Sequence, residues 1–423
     1  MDIINQYLYK YKYTISLIIV LIIISLLSYK IIFSNRTNSK LINFEKKYIK
    51  NIKKNQIDFC SDSYKRRNVS EFFINSSYLP FLTGYQKYDY SSYDMLINVI
   101  KYGGRYIELE VYNKEVKNDT VPIISSGNEL GSIIHAQNSL DAKEVCKIIA
   151  QYAFSEKTID NYQDPFFIYF DFRTNNNYRT LDKLYEIIKN TLFHKLLDES
   201  FYYEKKNIAK TDVCKLMNKL VIFSNTNYEN SKIKKFVNMS TKSSYFKRIQ
   251  HHELPLTDDL SSDDDLPIVS LTSKKINLNK NIIVIEDETD FINLGVDKSL
   301  VVKINGSKEN DTYENLLTLK QVTQQSLIFQ DDINFKLESS GEKIQLKFFN
   351  KSYTLKNLPN QNKNSLTVVY PKYDFFVHNF NPYDAWKLGC QFVCMNFQNV
   401  DNNLNINMNK FKNESIILKP NNL

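Results

Sequence analysis

The 423-residue chain contains little glycine, proline or cysteine, with nine, nine and five residues, respectively. So few glycines and prolines exclude a fibrous architecture and one dominated by flexible linkers. The five cysteines are scattered and lack the paired spacing of a metal or redox motif, and we interpret Cys390 and Cys394 as packing residues. This cysteine pattern predicts a reducing environment for the body of the protein.

Strong basic charge is also missing from most of the chain. The net charge is +8, but residues 1–67 hold thirteen basic and four acidic side chains, so this stretch contributes +9 and the rest −1. We therefore predict no nucleic-acid partner. The 43% hydrophobic content, with 29 tyrosines and 27 phenylalanines, instead predicts a globular body with a substantial core.

The longest apolar run consists of seventeen uncharged residues between Lys12 and Lys30, followed by three apolar residues. Seventeen helical residues span about 26 Å, close to a hydrocarbon core of roughly 30 Å. After a short tail at 1–12, we predict one transmembrane helix over 13–33, because a signal peptide has a shorter apolar region and a cleavage site. Since basic residues concentrate after this span, the positive-inside rule predicts a single-pass membrane protein with its N-terminus outside or lumenal and its barrel cytoplasmic.

A basic juxtamembrane stalk, 34–67, follows this span. Its part from Lys40 to Lys54 predicts contact with an anionic membrane leaflet, at roughly 1 kcal/mol for each basic residue near the surface. A solvated charged stalk is the alternative. Membrane lipid is thus the partner that the sequence favours, and it identifies no protein partner.

Beyond residue 68, short apolar runs alternate with helical stretches. Residues 142–154 and 180–197 have helical periodicity, the second with Thr180 as its N-cap. About eight strands alternating with helices predict an α/β fold of the (β/α)8 TIM-like barrel type. The runs taken as strands include Val121–Ser125 and Gln345–Phe349.

Residues 226–340 interrupt this pattern and include an acidic run at 256–267. Such a run is typical of a solvated linker. We therefore interpret 226–340 as a linker or insertion that splits the barrel into two halves, 68–225 and 341–420. His251 and His252 precede the acidic run, and a solvated loop is favoured there over a metal site.

Several motifs resemble the eukaryotic phosphoinositide-specific phospholipase C family. Residues 72–84 (FFINSSYLPFLTG) and 104–110 (GRYIELE) are similar to two strands of its X region. The Y-region signature is matched by Tyr370-Pro371-Lys372, Asn379-Phe380-Asn381-Pro382, Gly389-Cys390-Gln391 and Asn396-Phe397-Gln398. The resemblance covers roughly 68–225 and 341–420, and it implies a split TIM barrel that hydrolyses a phosphodiester beside a calcium ion.

The residues at the family's catalytic positions differ in this chain. Tyr78 and Ser126 stand at the two histidine positions, and Leu79 replaces an asparagine metal ligand. Because the unperturbed pKa of tyrosine is near 10, Tyr78 would be a poor base at neutral pH. A positioned acid–base group contributes about 10²–10⁴-fold in rate, so we predict that no catalytic residue is intact. His135 and His194 could in principle replace the missing catalytic histidines, but a structural or surface role is favoured for each.

Most of the family's phosphate contacts are lost as well. Phe223 and Asn225 occupy the positions of two lysines, and Val368 that of an arginine, whereas the substrate-binding tyrosine is kept as Tyr370. The chain therefore lacks most of the basic groups that hold inositol phosphates in this family.

Three acidic residues remain as candidate metal ligands: Glu108, Glu110 and Asp171. Glu108 and Glu110 lie two apart on one strand, so their side chains point the same way. Calcium accepts six to eight oxygen ligands, some of them from water. A calcium site is one interpretation of these carboxylates, and hydrated or paired carboxylates at the barrel rim are the other.

The sequence as a whole favours a membrane-anchored phospholipase C-like protein, catalytically impaired or inactive, that acts in phosphoinositide signalling by binding headgroups or partners. The alternative is an active phosphoinositide phosphodiesterase with a rearranged active site, which the retained carboxylates leave open. A purely structural tether would require neither a metal nor a pocket.

Overall fold

The computed structural model describes residues 11–50, 52–117, 119–128, 130–175, 177–254, 358–375, 377–421 and 423, and six short strands between residues 268 and 349. It divides into two compact units, residues 1–253 with 360–423 and residues 254–359. The strands are β1 (Phe72–Ser77), β2 (Tyr106–Val116), β3 (Asp119–Ile124), β4 (Leu140–Asp141), β5 (Phe166–Phe172), β6 (Leu220–Ser224), β7 (Met239–Ser240), β8 (Phe246–Gln250), β9 (Ile268–Thr272), β10 (Ile282–Ile285), β11 (Leu300–Lys303), β12 (Leu317–Thr318), β13 (Asn334–Ser340), β14 (Lys343–Phe349), β15 (Leu366–Tyr370), β16 (Phe392–Met395) and β17 (Ile416–Leu418).

Eight parallel strands of the first unit form a nearly closed barrel, in the order β7-β6-β5-β2-β1-β16-β15-β8. This confirms the predicted α/β barrel. β17 adds to β1 in antiparallel orientation, and β3 extends β2 as an antiparallel hairpin. The eight barrel strands follow one another around the barrel in chain order, as expected of a fold built from strand–helix repeats.

The assignment of strands to the barrel differs from the prediction at two places. Residues 121–125 lie largely in the antiparallel hairpin, and residues 345–349 lie in the second unit. The barrel instead takes β7 and β8 from the stretch that the sequence assigned to the insertion. Both strands are short, and only β8 alternates between buried and partly exposed residues, so the sequence of 226–253 carries a weak strand pattern. The barrel unit extends to Glu253. The predicted acidic run, 256–267, lies outside the described residues.

Five of the described α-helices have polar N-caps whose side chains accept hydrogen bonds from the first turn, which is how such residues stabilise a helix start. Asp141 caps the helix Ala142–Ala153, and Asn177 rather than the predicted Thr180 caps the helix Tyr178–Leu192, because Thr180 lies inside the first turn. The α-helices are α1 (Lys12–Phe44), α2 (Tyr93–Lys101), α3 (Ala142–Ala153), α4 (Tyr178–Leu192), α5 (Leu358–Gln361), α6 (Pro382–Lys387) and α7 (Asn402–Lys410).

The N-terminal helix α1 has 33 residues and continues into a π-helix over Glu45–Ile49. Among the residues that the structure describes, no helix is both long and apolar enough to cross a membrane. The prediction of a transmembrane helix over 13–33, and with it the single-pass topology, is therefore wrong. The uncharged run is only part of α1, which extends through the charged and polar residues that follow it.

The second unit consists of antiparallel strands. One sheet has the order β12-β13-β14-β9, and β10 pairs with β11. β13 and β14 form a hairpin whose pairing runs from Asn334 opposite Phe349 to Ser340 opposite Lys343. This unit therefore has a topology of its own, distinct from the parallel barrel.

Aromatic side chains fill the barrel interior. The ring of Phe392 lies 4.5 Å from that of Tyr106 and 5.3 Å from that of Phe167, measured between centroids, and Phe223 lies 4.8 Å from Phe246. All five side chains are at most 2% exposed. Pairs at these separations add to the free energy of burial, so much of the high phenylalanine and tyrosine content serves the core.

A disulfide joins Cys60, before the barrel, to Cys214, in the loop preceding β6. The sequence does not predict this pair, because its members lie 154 residues apart and only the fold brings them together. The disulfide disagrees with the reducing environment inferred from the scattered cysteines.

Thiol counting tests the disulfide directly. Alkylation of the denatured protein without reductant is expected to modify three cysteines, Cys146, Cys390 and Cys394, which are free in the structure. Reduction before alkylation should raise the number to five. Intact-mass spectrometry measures both numbers, and five modified residues in the unreduced sample would contradict the pairing.

A buried ion pair lies beside the start of β2. Arg105 is 0% exposed and its Nε lies 4.0 Å from Oδ2 of Asp164, whose side chain is 1% exposed. Burial raises the pKa of the Asp164 carboxyl from 3.8 to about 6, although the nearby Arg105 opposes the shift. The native state therefore binds more protons than the unfolded state between these two pH values.

Because the folded-state pKa of Asp164 is raised, the wild-type free energy of unfolding is expected to fall as pH rises from about 4 to about 6. Relative to the Asp164→Asn variant, the loss should be about 3 kcal/mol over this window. Urea denaturation at several pH values measures the difference. If the stability difference between the wild type and Asp164→Asn does not change between pH 4 and pH 6, the raised pKa of Asp164 is contradicted.

Candidate functional site: a buried carboxylate cluster

The three predicted acidic residues lie on neighbouring strands of the barrel. The parallel register pairs Glu108 with Tyr169 and Glu110 with Asp171, on β2 and β5. Both glutamates are 2% exposed. Glu110 and Asp171 lie towards the carboxyl ends of their strands, the end at which barrel proteins of this type place their functional sites.

Arg173, which directly follows β5, lies between two of these carboxylates. Its Nη2 is 2.9 Å from Oδ2 of Asp171 and 3.0 Å from Oε1 of Glu110. Its Nη1 donates to the Gly127 carbonyl (2.8 Å) and to the Tyr112 hydroxyl (3.2 Å). The guanidinium group thus bridges the acidic pair and connects it to the loop after β3.

Arg248, on β8, pairs with the third carboxylate. Its Nη2 donates to Oε2 of Glu108 at 2.6 Å. The guanidinium carbon lies 4.1 Å from the ring centroid of Tyr169 and 4.2 Å from that of Tyr370, so two aromatic rings hold it in place. Burial raises the pKa of Glu108, and the charge of Arg248 opposes that shift.

Tyr78 lies in the same cluster, just after β1. Its side chain is 3% exposed and its ring stacks on that of Tyr370 with 5.9 Å between centroids. Burial first, then the charges of Glu110 and Glu108, raise the pKa of the Tyr78 hydroxyl well above its usual value. The hydroxyl therefore stays protonated at neutral pH.

The backbone after Tyr78 is unusual for the residue it carries. Leu79 is fully buried and has a φ of +43°, in the left-handed region that asparagine tolerates much better than leucine. The resemblance places an asparagine ligand at this position. The turn thus has a backbone conformation suited to asparagine, while the side chain packs as part of the core.

Ser126, which the resemblance places at the second histidine position, is fully buried, and its hydroxyl donates to the Gln86 carbonyl at 2.9 Å. His135 lies close by, because its backbone N–H donates to the Ser126 carbonyl. Its ring Nδ1 is 3.0 Å from the Tyr373 hydroxyl. Burial, together with the charges of Lys87 and Arg173, lowers the pKa of His135.

The other residues singled out from the sequence are dispersed. His194 is exposed on a short 3-10 helix, and Nε2 of His251 lies 3.3 Å from Oδ2 of Asp384. Val368 and Phe223 are fully buried in the barrel. Asn225, in contrast, joins the cluster, since its Nδ2 donates to Oδ1 of Asp171 at 2.6 Å.

These contacts do not fit a divalent cation. Calcium requires six to eight free oxygen ligands around one point, whereas the oxygens of the three carboxylates already face arginine or other hydrogen-bond donors. Among the described residues, no group of three or more histidine, cysteine, aspartate or glutamate side chains has a geometry that could hold a metal ion.

Sequence reasoning missed both arginines. Arg248 lies in the stretch interpreted as an insertion, where the alternating residues 246–250 were the available signal. Arg173 lies two residues after Asp171, and this spacing on an extended strand would have placed both side chains on one side. The alternation of residues 246–250 does not identify Glu108 as the ion-pair partner of Arg248, because the two residues lie 140 positions apart in the sequence.

The geometry describes a parallel α/β barrel with an acidic cluster towards the carboxyl ends of two strands. Two family models match this chain. The model of the phosphatidylinositol-specific phospholipase C X domain matches residues 66–226, and the model of the Y domain of the same family matches residues 314–422. Together they cover more than half of the sequence. The chain belongs to the phosphatidylinositol-specific phospholipase C family, which confirms the resemblance.

Relatives in this family include both a named enzyme and a protein named inactive. The 1-phosphatidylinositol 4,5-bisphosphate phosphodiesterase 1 of Saccharomyces cerevisiae is 22% identical over 350 residues, covering 81% of this chain and 35% of the relative. The human inactive phospholipase C-like protein 2 is 24% identical over 365 residues, covering 85% of this chain and 27% of the relative. This chain thus spans about a third or less of these relatives.

A solved structure is also similar. The crystal structure of PLC21 from S. officinalis is 16% identical, with a TM-score of 0.49, and the match covers 84% of this chain and 37% of that one.

Proposed function

We propose that this protein is a phospholipase C-like protein without catalytic turnover, which acts in phosphoinositide signalling by binding lipid headgroups or protein partners. The observation that carries the proposal is the state of Tyr78, which the resemblance places at the position of the family's first histidine. Its buried hydroxyl, with a pKa raised well above the usual value, cannot accept a proton at neutral pH.

The chemistry of the reaction explains why this matters. A hydroxyl of the substrate must lose its proton to attack phosphorus, and a second group must protonate the leaving oxygen. Ser126 at the second position supplies neither function, because its hydroxyl already donates to a backbone carbonyl. Each such group contributes about 10²–10⁴-fold, and losses within one catalytic unit do not simply add.

Release of soluble inositol phosphate from phosphatidylinositol 4,5-bisphosphate in mixed micelles tests the proposal. With the full-length protein, with and without calcium chloride, we expect a rate at least about 10⁴-fold below that of a family member with both histidines. The test variant is Glu108→Ala, and Glu115→Ala, at an exposed glutamate of the same strand, is its matched control.

Hydrolysis comparable to that of the intact enzyme, abolished by Glu108→Ala and preserved by Glu115→Ala, would establish the alternative of an active phosphodiesterase with a rearranged site. Absence of hydrolysis in all variants is the result expected for the binding function.

For the partner, we propose contact of the basic segment Lys40–Lys54 with an anionic lipid surface. Support comes from a cavity of about 660 Å³ between this segment and α7. It is lined by four lysines (Lys46, Lys47, Lys53 and Lys412) and by no acidic side chain. Because Lys47 Nζ lies 3.2 Å from Oδ1 of Asn405, the basic segment is packed against the barrel unit there.

Sedimentation with phosphatidylcholine vesicles, with and without 30 mol% phosphatidylserine, tests this contact. At roughly 1 kcal/mol per lysine, the triple variant Lys46→Gln/Lys47→Gln/Lys53→Gln is expected to bind the anionic vesicles about a hundredfold more weakly. A matched control, Lys114→Gln/Lys117→Gln/Lys143→Gln, removes three exposed lysines elsewhere and should bind like the wild type. Equal losses in both variants would contradict a specific surface.

A further inference from the structure

The carboxylate cluster towards the carboxyl ends of β2 and β5 is almost neutralised by the chain itself. Its three carboxylates, Glu108, Glu110 and Asp171, face two guanidinium groups, those of Arg173 and Arg248. Two guanidinium groups carry the same positive charge as one divalent cation. The charge balance that a calcium ion would provide is therefore already present.

Five of the six carboxylate oxygens accept a hydrogen bond, and the sixth, Oε1 of Glu110, lies 3.0 Å from Nη2 of Arg173 without hydrogen-bond geometry. Arg173 contacts one oxygen each of Glu110 and Asp171, and Arg248 contacts one of Glu108. The other three oxygens accept from the Tyr106 hydroxyl (3.1 Å), from the Tyr112 hydroxyl (2.8 Å) and from Nδ2 of Asn225 (2.6 Å). A calcium ion would have to displace several of these contacts to obtain its ligands.

Both arginines are fixed by contacts besides their ion pairs. Arg248 lies between the rings of Tyr169 and Tyr370. Arg173 donates to the Gly127 carbonyl and the Tyr112 hydroxyl, and its side chain is 9% exposed. Since a buried ion pair resists the removal of one partner, neither arginine is expected to leave the cluster to admit an ion.

We propose that Arg173 and Arg248 are built-in counter-ions that take the place of the divalent cation, so that the carboxylate cluster of this protein does not bind calcium. In this arrangement the carboxylates compensate the buried charges of the two arginines, and the arginines compensate those of the carboxylates. The fold then requires no metal ion at this position. This goes beyond the proposed lack of turnover, since the loss of catalytic histidines does not by itself prevent metal binding.

Calcium chloride titrated into the full-length protein tests the inference by calorimetry and by melting temperature. The wild type is expected to give no binding heat and the same melting temperature in calcium as in EDTA. The Arg173→Gln/Arg248→Gln variant should melt about 10 °C lower in EDTA and recover at millimolar calcium. Arg179→Gln, at an exposed arginine, is the control for removing a guanidinium group.

Calcium binding by the wild type that Glu108→Gln abolishes would overturn the inference, as would a folded double variant whose melting temperature ignores calcium. If the double variant does not fold, Arg248→Gln alone is compared with Glu108→Gln/Arg248→Gln. Removal of both charges should restore most of the melting temperature without calcium, and no restoration would overturn the counter-ion role. Neither readout measures hydrolysis, so this test and that of the proposed function fail separately.

Discussion

Replacement of Arg105 by methionine is expected to lower the free energy of unfolding by about 3–5 kcal/mol, the range for breaking a buried ion pair. Arg105 is 0% exposed, and methionine has a similar length without the charge. Its Nη1 donates to the Ala153 carbonyl at 2.8 Å, and its Nη2 donates to the Asn161 carbonyl. The variant leaves these two carbonyls buried without this donor and removes the positive charge beside the buried Asp164 carboxylate, which keeps the hydrogen bonds donated by Asn161 and Gln56. These losses are the cause of the lower stability.

Urea denaturation at pH 7 measures the effect. Arg179→Met, which removes an exposed guanidinium group, is expected to change stability by at most about 0.5 kcal/mol. Adding Asp164→Asn to Arg105→Met should recover part of the loss, because it removes the uncompensated charge. A loss below about 1 kcal/mol in Arg105→Met would show that these contacts contribute little.

Restoring a lysine at position 223 is expected to be at least as damaging. The resemblance places a phosphate-binding lysine there, but Phe223 is 0% exposed. Its ring lies 5.9 Å from those of Phe167 and Phe392 and 4.8 Å from that of Phe246, between centroids. A lysine would lose these ring contacts and bury an amine among aromatic side chains. We expect Phe223→Lys to cost about 4 kcal/mol or more.

The matched control is Phe223→Leu, which keeps an apolar side chain and should cost about 1–2 kcal/mol. Thermal denaturation of both variants at pH 7 gives the comparison. If Phe223→Lys is as stable as Phe223→Leu, the side chain reaches solvent, and the position can then hold a phosphate-binding lysine after all. The expected difference instead indicates that this part of the family's headgroup site has become core.

The two unmatched strand assignments show where sequence patterns lose information. An apolar run such as Val121–Ser125 has the composition of a barrel strand, but its register is set by the hairpin with β2, which the run itself does not encode. β7 has two residues and β8 five. Segments this short belong to the barrel only because they pair with neighbouring strands, so their composition alone did not identify them as strands.

The membrane prediction failed for a related reason. It used the length of an uncharged run, whereas no helix among the described residues is both long and apolar enough to cross a membrane. Likewise, the cysteine pattern predicted a reducing environment, and the fold brings Cys60 to Cys214 in a disulfide. In both cases a local feature, the length of one run or the spacing of cysteines along the sequence, was used to infer a property that depends on the folded chain.

The low glycine and proline content and the high aromatic content determined that the chain is globular. The alternation of apolar runs with helical stretches and the family motifs determined the class of fold, because these signals are local and additive along the chain. They also located Tyr78, Ser126 and the three carboxylates. Only the tertiary structure decided what the carboxylates contact. The strength of an ion pair depends on distance and burial, and Glu108 meets Arg248 across 140 residues because β2 and β8 belong to one barrel.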